Sequence, residues 1–206
     1  MNTRGTIRGC VMQIMLWGNK AERCLILLLL AFVATGQVFA GPATPWLGNK
    51  NGFIHMDMAN GSAYALKLSP DMEGVFYDRN THELDSGLYI SVFEVLPSNP
   101  DQPVGFCGAG SEVWLSVYKV AGTALDAKTR ALVSSCLHSI SMASQNSGAP
   151  DQESDFSSVR WNAKGFSIEW FDNVDARGRA LSSTDYVLHN GTFSRHEVVS
   201  QQSQNP

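Results

Sequence analysis

Four cysteines in 206 residues, with no Cys-x-x-Cys spacing, no Gly-x-Ser-x-Gly elbow and no His-Glu-x-x-His pair, leave this chain without the usual signatures of dithiol, acyl-transfer or zinc chemistry. Gly108-Ala109-Gly110 is followed by neither Lys-Ser nor Lys-Thr and runs into a strand pattern, so it lacks the helical amides that cradle a phosphate. Internal repeats, heptads and long low-complexity runs are also missing, which excludes solenoids and coiled coils. Basic clusters are missing as well. Nucleic acid and anionic membrane surfaces both need a concentrated positive footprint, so neither is expected as a partner.

What is present starts with a leader. Arg4, Arg8, Lys20 and Arg23 precede the apolar run from Cys24 to Val33. Ten residues span roughly 15 Å as a helix, half of a bilayer's core of ~30 Å, which fits a signal-peptide core better than a membrane span. Val38-Phe39-Ala40 offers small residues where a signal peptidase reads them, so cleavage is expected before Gly41. Cys24 follows Arg23 with no lipobox before it, which argues against a lipoprotein. The reading is a signal peptide over 1–40, a single exported β-rich domain over 41–206, a periplasmic or secreted location, and no stable membrane insertion after cleavage.

Removing Arg4, Arg8, Lys20, Arg23 and Glu22 leaves 11 basic and 18 acidic residues, a net charge of −7. It also leaves Cys107 and Cys136 as the two remaining thiols, and two thiols in an oxidising compartment are expected to pair. Closing that loop would contribute roughly 3.5 kcal/mol by restricting the unfolded chain. The competing reading makes Cys107 a nucleophile, which would need a base that the sequence does not assign.

Phe53–Met58 and Ala63–Leu68 flank the turn residues Asn60-Gly61-Ser62 and read as a hairpin. Leu88–Val95 and Val113–Val120 are rich in β-branched and aromatic residues, with a proline-bearing loop between them. Phe156–Trp161, Phe166–Phe171, Tyr186–His189 and Thr192–Arg195 make a meander, the last pair joined by Asn190-Gly191. Thr123 and Asp126 are spaced like a capping box, and Leu125, Leu132, Val133, Cys136 and Leu137 fall on one helical face. The expected fold is mainly β, an antiparallel sheet or sandwich with one helix at about 123–137, stapled by the disulfide.

Candidate sites are sparse. His82, Glu83 and Asp85 carry ligand-type groups, but nothing completes a metal shell, and a solvated turn accounts for them. Asn173–Gly178 resembles the start of a calcium loop, except that Arg177 stands where an oxygen ligand belongs. Glu169 has no second carboxylate placed opposite it. Trp114, Trp161 and Trp170 are expected in the core; facing outward, they would form a platform for sugar or protein. Neither a metal nor a cofactor is implied.

Two classes of function follow. The first is an exported protein-binding module, an inhibitor or toxin-immunity protein that blocks a basic partner enzyme such as a cell-wall hydrolase. Its contacts would be Gly108, Ala109, Gly110 and Ser111 beside the disulfide, with Ser144 and Asn146 in the polar stretch 141–154 as a second zone. The second is a small envelope hydrolase whose histidine and carboxylates come from separate strands. A small-ligand carrier with an apolar cavity is a further alternative.

Overall fold

The structure, a computed structural model, describes residues 45–201. The leader expected at 1–40 and the residues from 202 onward lie outside the described part.

Strand β6 (Gly87–Pro97) organises the rest. Its sequence Tyr-Ile-Ser-Val-Phe-Glu-Val lacks the in–out alternation of a half-exposed strand, and all seven residues from Tyr89 to Val95 are buried. It is the middle of a sheet ordered β1 (Trp46–Gly48), β4 (Gly74–Tyr77), β6, β7 (Ser111–Ala121) and β8 (Ala124–Ser134). The short β5 (His82–Leu84) also pairs with β6. All of these pairings are antiparallel.

Each face of this sheet has its own cover. Ile90 and Val92, with Val75 and Tyr77, pack against the hairpin of β2 (Phe53–Asp57) and β3 (Ala63–Lys67). The hairpin alternates strictly: Ile54, Met56, Tyr64 and Leu66 point in, while Phe53, His55, Ala65 and Lys67 point out. Its turn follows the Asn-Gly signal, with Gly61 at φ +83° and Asn60 Oδ1 accepting the Ser62 amide at 3.0 Å.

On the opposite face, Tyr89, Phe93, Leu115, Val117 and Val133 pack against a second sheet. That sheet runs β10 (Val159–Asn162), β11 (Gly165–Asp172), β12 (Leu181–His189), β13 (Thr192–Val199), with β9 (Ser141–Met142) also pairing with β11. Aromatic pairs fill the space between the sheets: Phe93 stacks on Phe156 at 4.0 Å, Phe166 on Tyr186 at 4.6 Å, and Trp161 tilts against Phe166 at 5.1 Å. Trp170 is buried and donates to Thr184 Oγ1 at 2.9 Å, while Trp161 donates to Ser91 Oγ at 3.0 Å across the layers.

The helix expected at 123–137 is not there. That segment is β8, paired with β7 from Ala121↔Ala124 to Val113↔Ser134. Thr123 does not cap a helix; with Gly122 (φ +64°) it makes the two-residue turn between the strands. The register shifts twice, so Lys128 and Val133 are extra residues opposite β7. Two bulges destroy the period-2 alternation, and the apolar positions left over mimic a helical face. Among the described residues, helical structure is limited to short 3₁₀ turns at Ala143–Asn146 and Gln152–Ser154.

Phe156 ties the segment that contains those turns to the core, lying between Phe93 and Phe76, with ring centroids 4.0 and 5.2 Å away. Phe156→Ala is expected to cost about 3–5 kcal/mol in urea unfolding. A loss under about 1 kcal/mol, the size of a surface substitution, would mean that this segment does not close the inter-sheet core.

Candidate interaction surface

The connection between β6 and β7 is built as a stack of turns. Ser98 N bonds to Gly110 O at 3.0 Å and closes the neck next to the last ladder pair, Pro97↔Ser111. Above it, the amides of Gln102, Gly105, Gly108 and Gly110 each bond to the carbonyl three residues back, at 2.9–3.1 Å. Asn99 Nδ2 donates to Phe106 O at 3.1 Å, and Ser98 Oγ donates to Cys107 O. Pro100 and Pro103 restrict the remaining freedom. Gly108 is required for this fold-back, because a Cβ there would lie 2.6 Å from Pro103 O and closer still to Gln102 O.

The expected disulfide joins this loop to the turn after β8: Cys107 and Cys136 have Cα atoms 5.8 Å apart. The second turn is anchored by the Ser135–Ile140 bridge, whose two bonds measure 2.9 and 3.0 Å. Two turns, each closed at its own neck, are thereby fixed to one another. What they present is apolar. Val104 is fully exposed, Phe106 is 76% exposed, and Leu137, beside Cys136, is 40% exposed.

The strand register places most other exposed apolar side chains at the same end. Phe53 opens β2 there; Phe171, Val174 and Val198 lie where β11 ends, β12 begins and β13 ends, next to the point where β9 takes over from the 135–140 turn. Leu88, at the start of β6, belongs to the opposite end. The base of the loop is acidic. Ser111 Oγ lies 3.5 Å from Glu73 Oε2, Ser135 Oγ donates to Glu112 Oε1 at 2.8 Å, and Asp101 is exposed on the loop itself. No Lys or Arg occurs between Gly87 and Tyr118.

Of the residues expected to make contact, Gly108, Ala109, Gly110 and Ser111 form the returning limb of this loop, with Ala109 exposed. The side chains that project beyond them are Val104 and Phe106. The signal for them in the sequence is two large apolar residues inside a stretch of Pro and Gly. Ser144 and Asn146 bond within their own segment and not to the loop. Ser144 N donates to Ser158 Oγ at 2.7 Å and its hydroxyl to Asp155 O at 2.6 Å; Asn146 Nδ2 donates to Ser141 Oγ at 3.2 Å. Their polar groups hold the 141–158 segment together.

The other chemistry-bearing residues are engaged within the fold. His82 Nε2 lies 2.8 Å from Asp78 Oδ2, and its ring stacks on Trp161 at 4.2 Å, linking the two sheets. Glu83 and Asp85 are exposed, and no group of three metal-ligating side chains occurs among the described residues. Glu169 pairs with Arg160 at 3.0 Å. Asp175 accepts the amides of Arg177 and Arg179, both at 2.9 Å, and organises the 173–180 turn as a hairpin connection. Glu94 is buried with both oxygens used: Tyr118 donates to one at 3.0 Å, and Arg130, which lies 4.3 Å over Trp114, holds the other at 2.9–3.0 Å. Burial, and then the Glu94 carboxylate, push the Tyr118 phenol well above its ordinary value of 10, so it serves as a donor. The chain matches no protein-family model, no curated protein and no solved structure.

Two outcomes check this geometry. Gly108→Ala should force the turn stack apart and speed amide exchange at Gly105, Gly108 and Gly110 by on the order of tenfold, with the sheets unaffected; unchanged exchange would mean that the loop is not held as described. At Asp78, burial acts to raise the carboxyl, but hydrogen bonds from His82 and Asn80 outweigh it and hold the group below 3.8. A depressed acid stabilises the fold above its unfolded pKa and loses that contribution as pH falls through the folded value. Thermal melts should show wild type losing Tm below about pH 4 more steeply than Asp78→Asn. Identical acid limbs would remove Asp78 from the linkage.

Proposed function

We propose that this chain is an exported protein-binding module that blocks a partner enzyme, as inhibitors and immunity proteins do, and that it docks through its disulfide-linked end. One observation carries the reading: a loop pre-shaped by turns and a disulfide holds Val104 and Phe106 out in water, at the end where exposed apolar side chains concentrate. Exposed apolar groups on a rigid support are characteristic of interaction sites, and a loop already in one shape loses little entropy when it enters a cleft. Phe106 is the anchor and Val104 its neighbour. Glu73, Asp101 and Glu112 around the base favour a cleft with a basic rim, which suits a basic cell-wall hydrolase.

Export is the other half of the proposal. It rests on the leader at 1–40 and is supported by the disulfide, which fits an oxidising compartment. None of the described helices is long and apolar enough to cross a membrane.

The test expresses the full chain, tagged at its C-terminus, in its own cells, and compares wild type with Val104→Asp, Phe106→Asp and Leu88→Asp. The expected result is one protein retained by wild type and by Leu88→Asp and reduced roughly thirtyfold by either loop variant, as a central anchor worth about 2 kcal/mol requires. The bait itself should begin at Gly41. Equal retention by all four baits, or retention of nothing but a second copy of this chain, would remove the docking surface. A bait that keeps residues 1–40 would remove the export half.

A further inference from the structure

We infer that the Cys107–Cys136 bond is a redox gate on the docking face and not a staple of the sandwich, an inference that rests on the docking reading above. Both apolar cores stop short of the bond. Val95, Val113, Val133 and Ile140 are the nearest residues packed in a core, and no residue from 96 to 112 or from 134 to 139 contributes to either one. The loop at 98–110 and the turn at 135–140 are each closed by their own backbone bonds, Ser98 to Gly110 and Ser135 to Ile140. The disulfide therefore fills no core and closes no ladder; its general contribution comes through the unfolded chain. What it adds is a fixed relation between the two turns, and hence between Phe106 and Leu137, each next in sequence to one of the cysteines.

Two further observations favour a gate. Cys136 is exposed and Cys107 is half-buried, so the bond is open to a reductant. Cys107 also sits at φ +58°, a left-handed conformation that residues other than glycine avoid. The crosslink and the Ser98 hydroxyl on its carbonyl hold it there. Freed of the crosslink, Cys107 keeps only the Gly110 amide and the Ser98 hydroxyl on its carbonyl, and the neighbouring Phe106 loses its fixed relation to Leu137.

The chemistry is thiol–disulfide exchange with a dithiol reductant. One reductant thiolate attacks Cys136 Sγ, and Cys107 leaves as a thiolate that takes a proton from water. The second reductant thiol, as its thiolate, then displaces Cys136, which is protonated in turn. The protein gains two electrons and two protons, and the reductant becomes a disulfide. In a reducing compartment the docking face is unset; after export, exchange with a disulfide oxidant runs the same two steps in reverse, the oxidant leaving as a dithiol, and sets it. A binder built this way is weak where it is made and strong where its target is.

The experiment compares the full chain with its Cys107→Ser/Cys136→Ser variant. Amide exchange at 99–110 should rise by on the order of tenfold while the sheets keep their far-UV spectrum and a single cooperative melt, at a Tm lowered by the lost restriction of the unfolded chain. Retention of the protein lost by Phe106→Asp should fall by on the order of tenfold as well. Loss of the cooperative melt and of the far-UV sheet spectrum would overturn the gate and make the bond a staple of the fold. Unchanged exchange together with unchanged retention would make the bond inert. Failure of the underlying docking reading looks different: wild type then retains nothing that Phe106→Asp loses, and the gate falls with it whatever the exchange shows.

Discussion

Burial of β6 on both faces is the constraint from which the architecture follows. A strand carrying Tyr89, Phe93 and Val95 on one side and Ile90 and Val92 on the other has no side to give to water. A single sheet would leave one of these faces wet, and a simple two-layer sandwich would do the same. The β2–β3 hairpin meets this need with one alternating stripe of Ile, Met, Tyr and Leu, and the second sheet meets it with a block of aromatic pairs. The one charged side chain on this stretch, Glu94, sits among apolar neighbours only because Arg130 and Tyr118 occupy both of its oxygens.

Three layers also divide the labour between the middle of the molecule and its ends. Covering both faces of the central sheet takes up most of the apolar side chains along the strands, and among the connecting segments Phe156 is drawn into the core while the 98–110 loop is not. At one end they turn with little to spare, as in the Gly122-Thr123 and Asn190-Gly191 connections. At the other, between Pro97 and Ser111, the chain spends thirteen residues where two would close the hairpin, and it braces them with four turn bonds, two side-chain bonds and a disulfide. A long loop with that much internal bonding has a shape of its own.

The hairpins could be read from the sequence because their chemistry is local. Asn60-Gly61 and Asn190-Gly191 set a turn type, and the flanking residues alternate or run apolar accordingly. The pairing of Cys107 with Cys136 needed only arithmetic and a compartment. Strand β8 was not legible, since its bulges at Lys128 and Val133 shift the apolar positions out of period two, and a pattern read without its partner strand has no means of recognising an inserted residue. The proposed docking surface was half legible. Its glycines and its disulfide stood out, but Phe53, Phe106, Leu137 and Phe171 lie far apart in sequence, and only strand order and register bring them to one end.

The buried polar groups are used within the fold. Here the buried side-chain polar atoms among the described residues have partners, with Gln145 Oε1 as the exception, and His82, Glu94, Tyr118 and Asp175 are each bound into local networks. At the disulfide-linked end, Val104 and Phe106 are the large apolar side chains that face water most fully. Water is a poor neighbour for Val104 and Phe106, and a chain that braces them outward with prolines and a crosslink, when a flexible loop would let them fold back, makes sense if another surface takes the water's place.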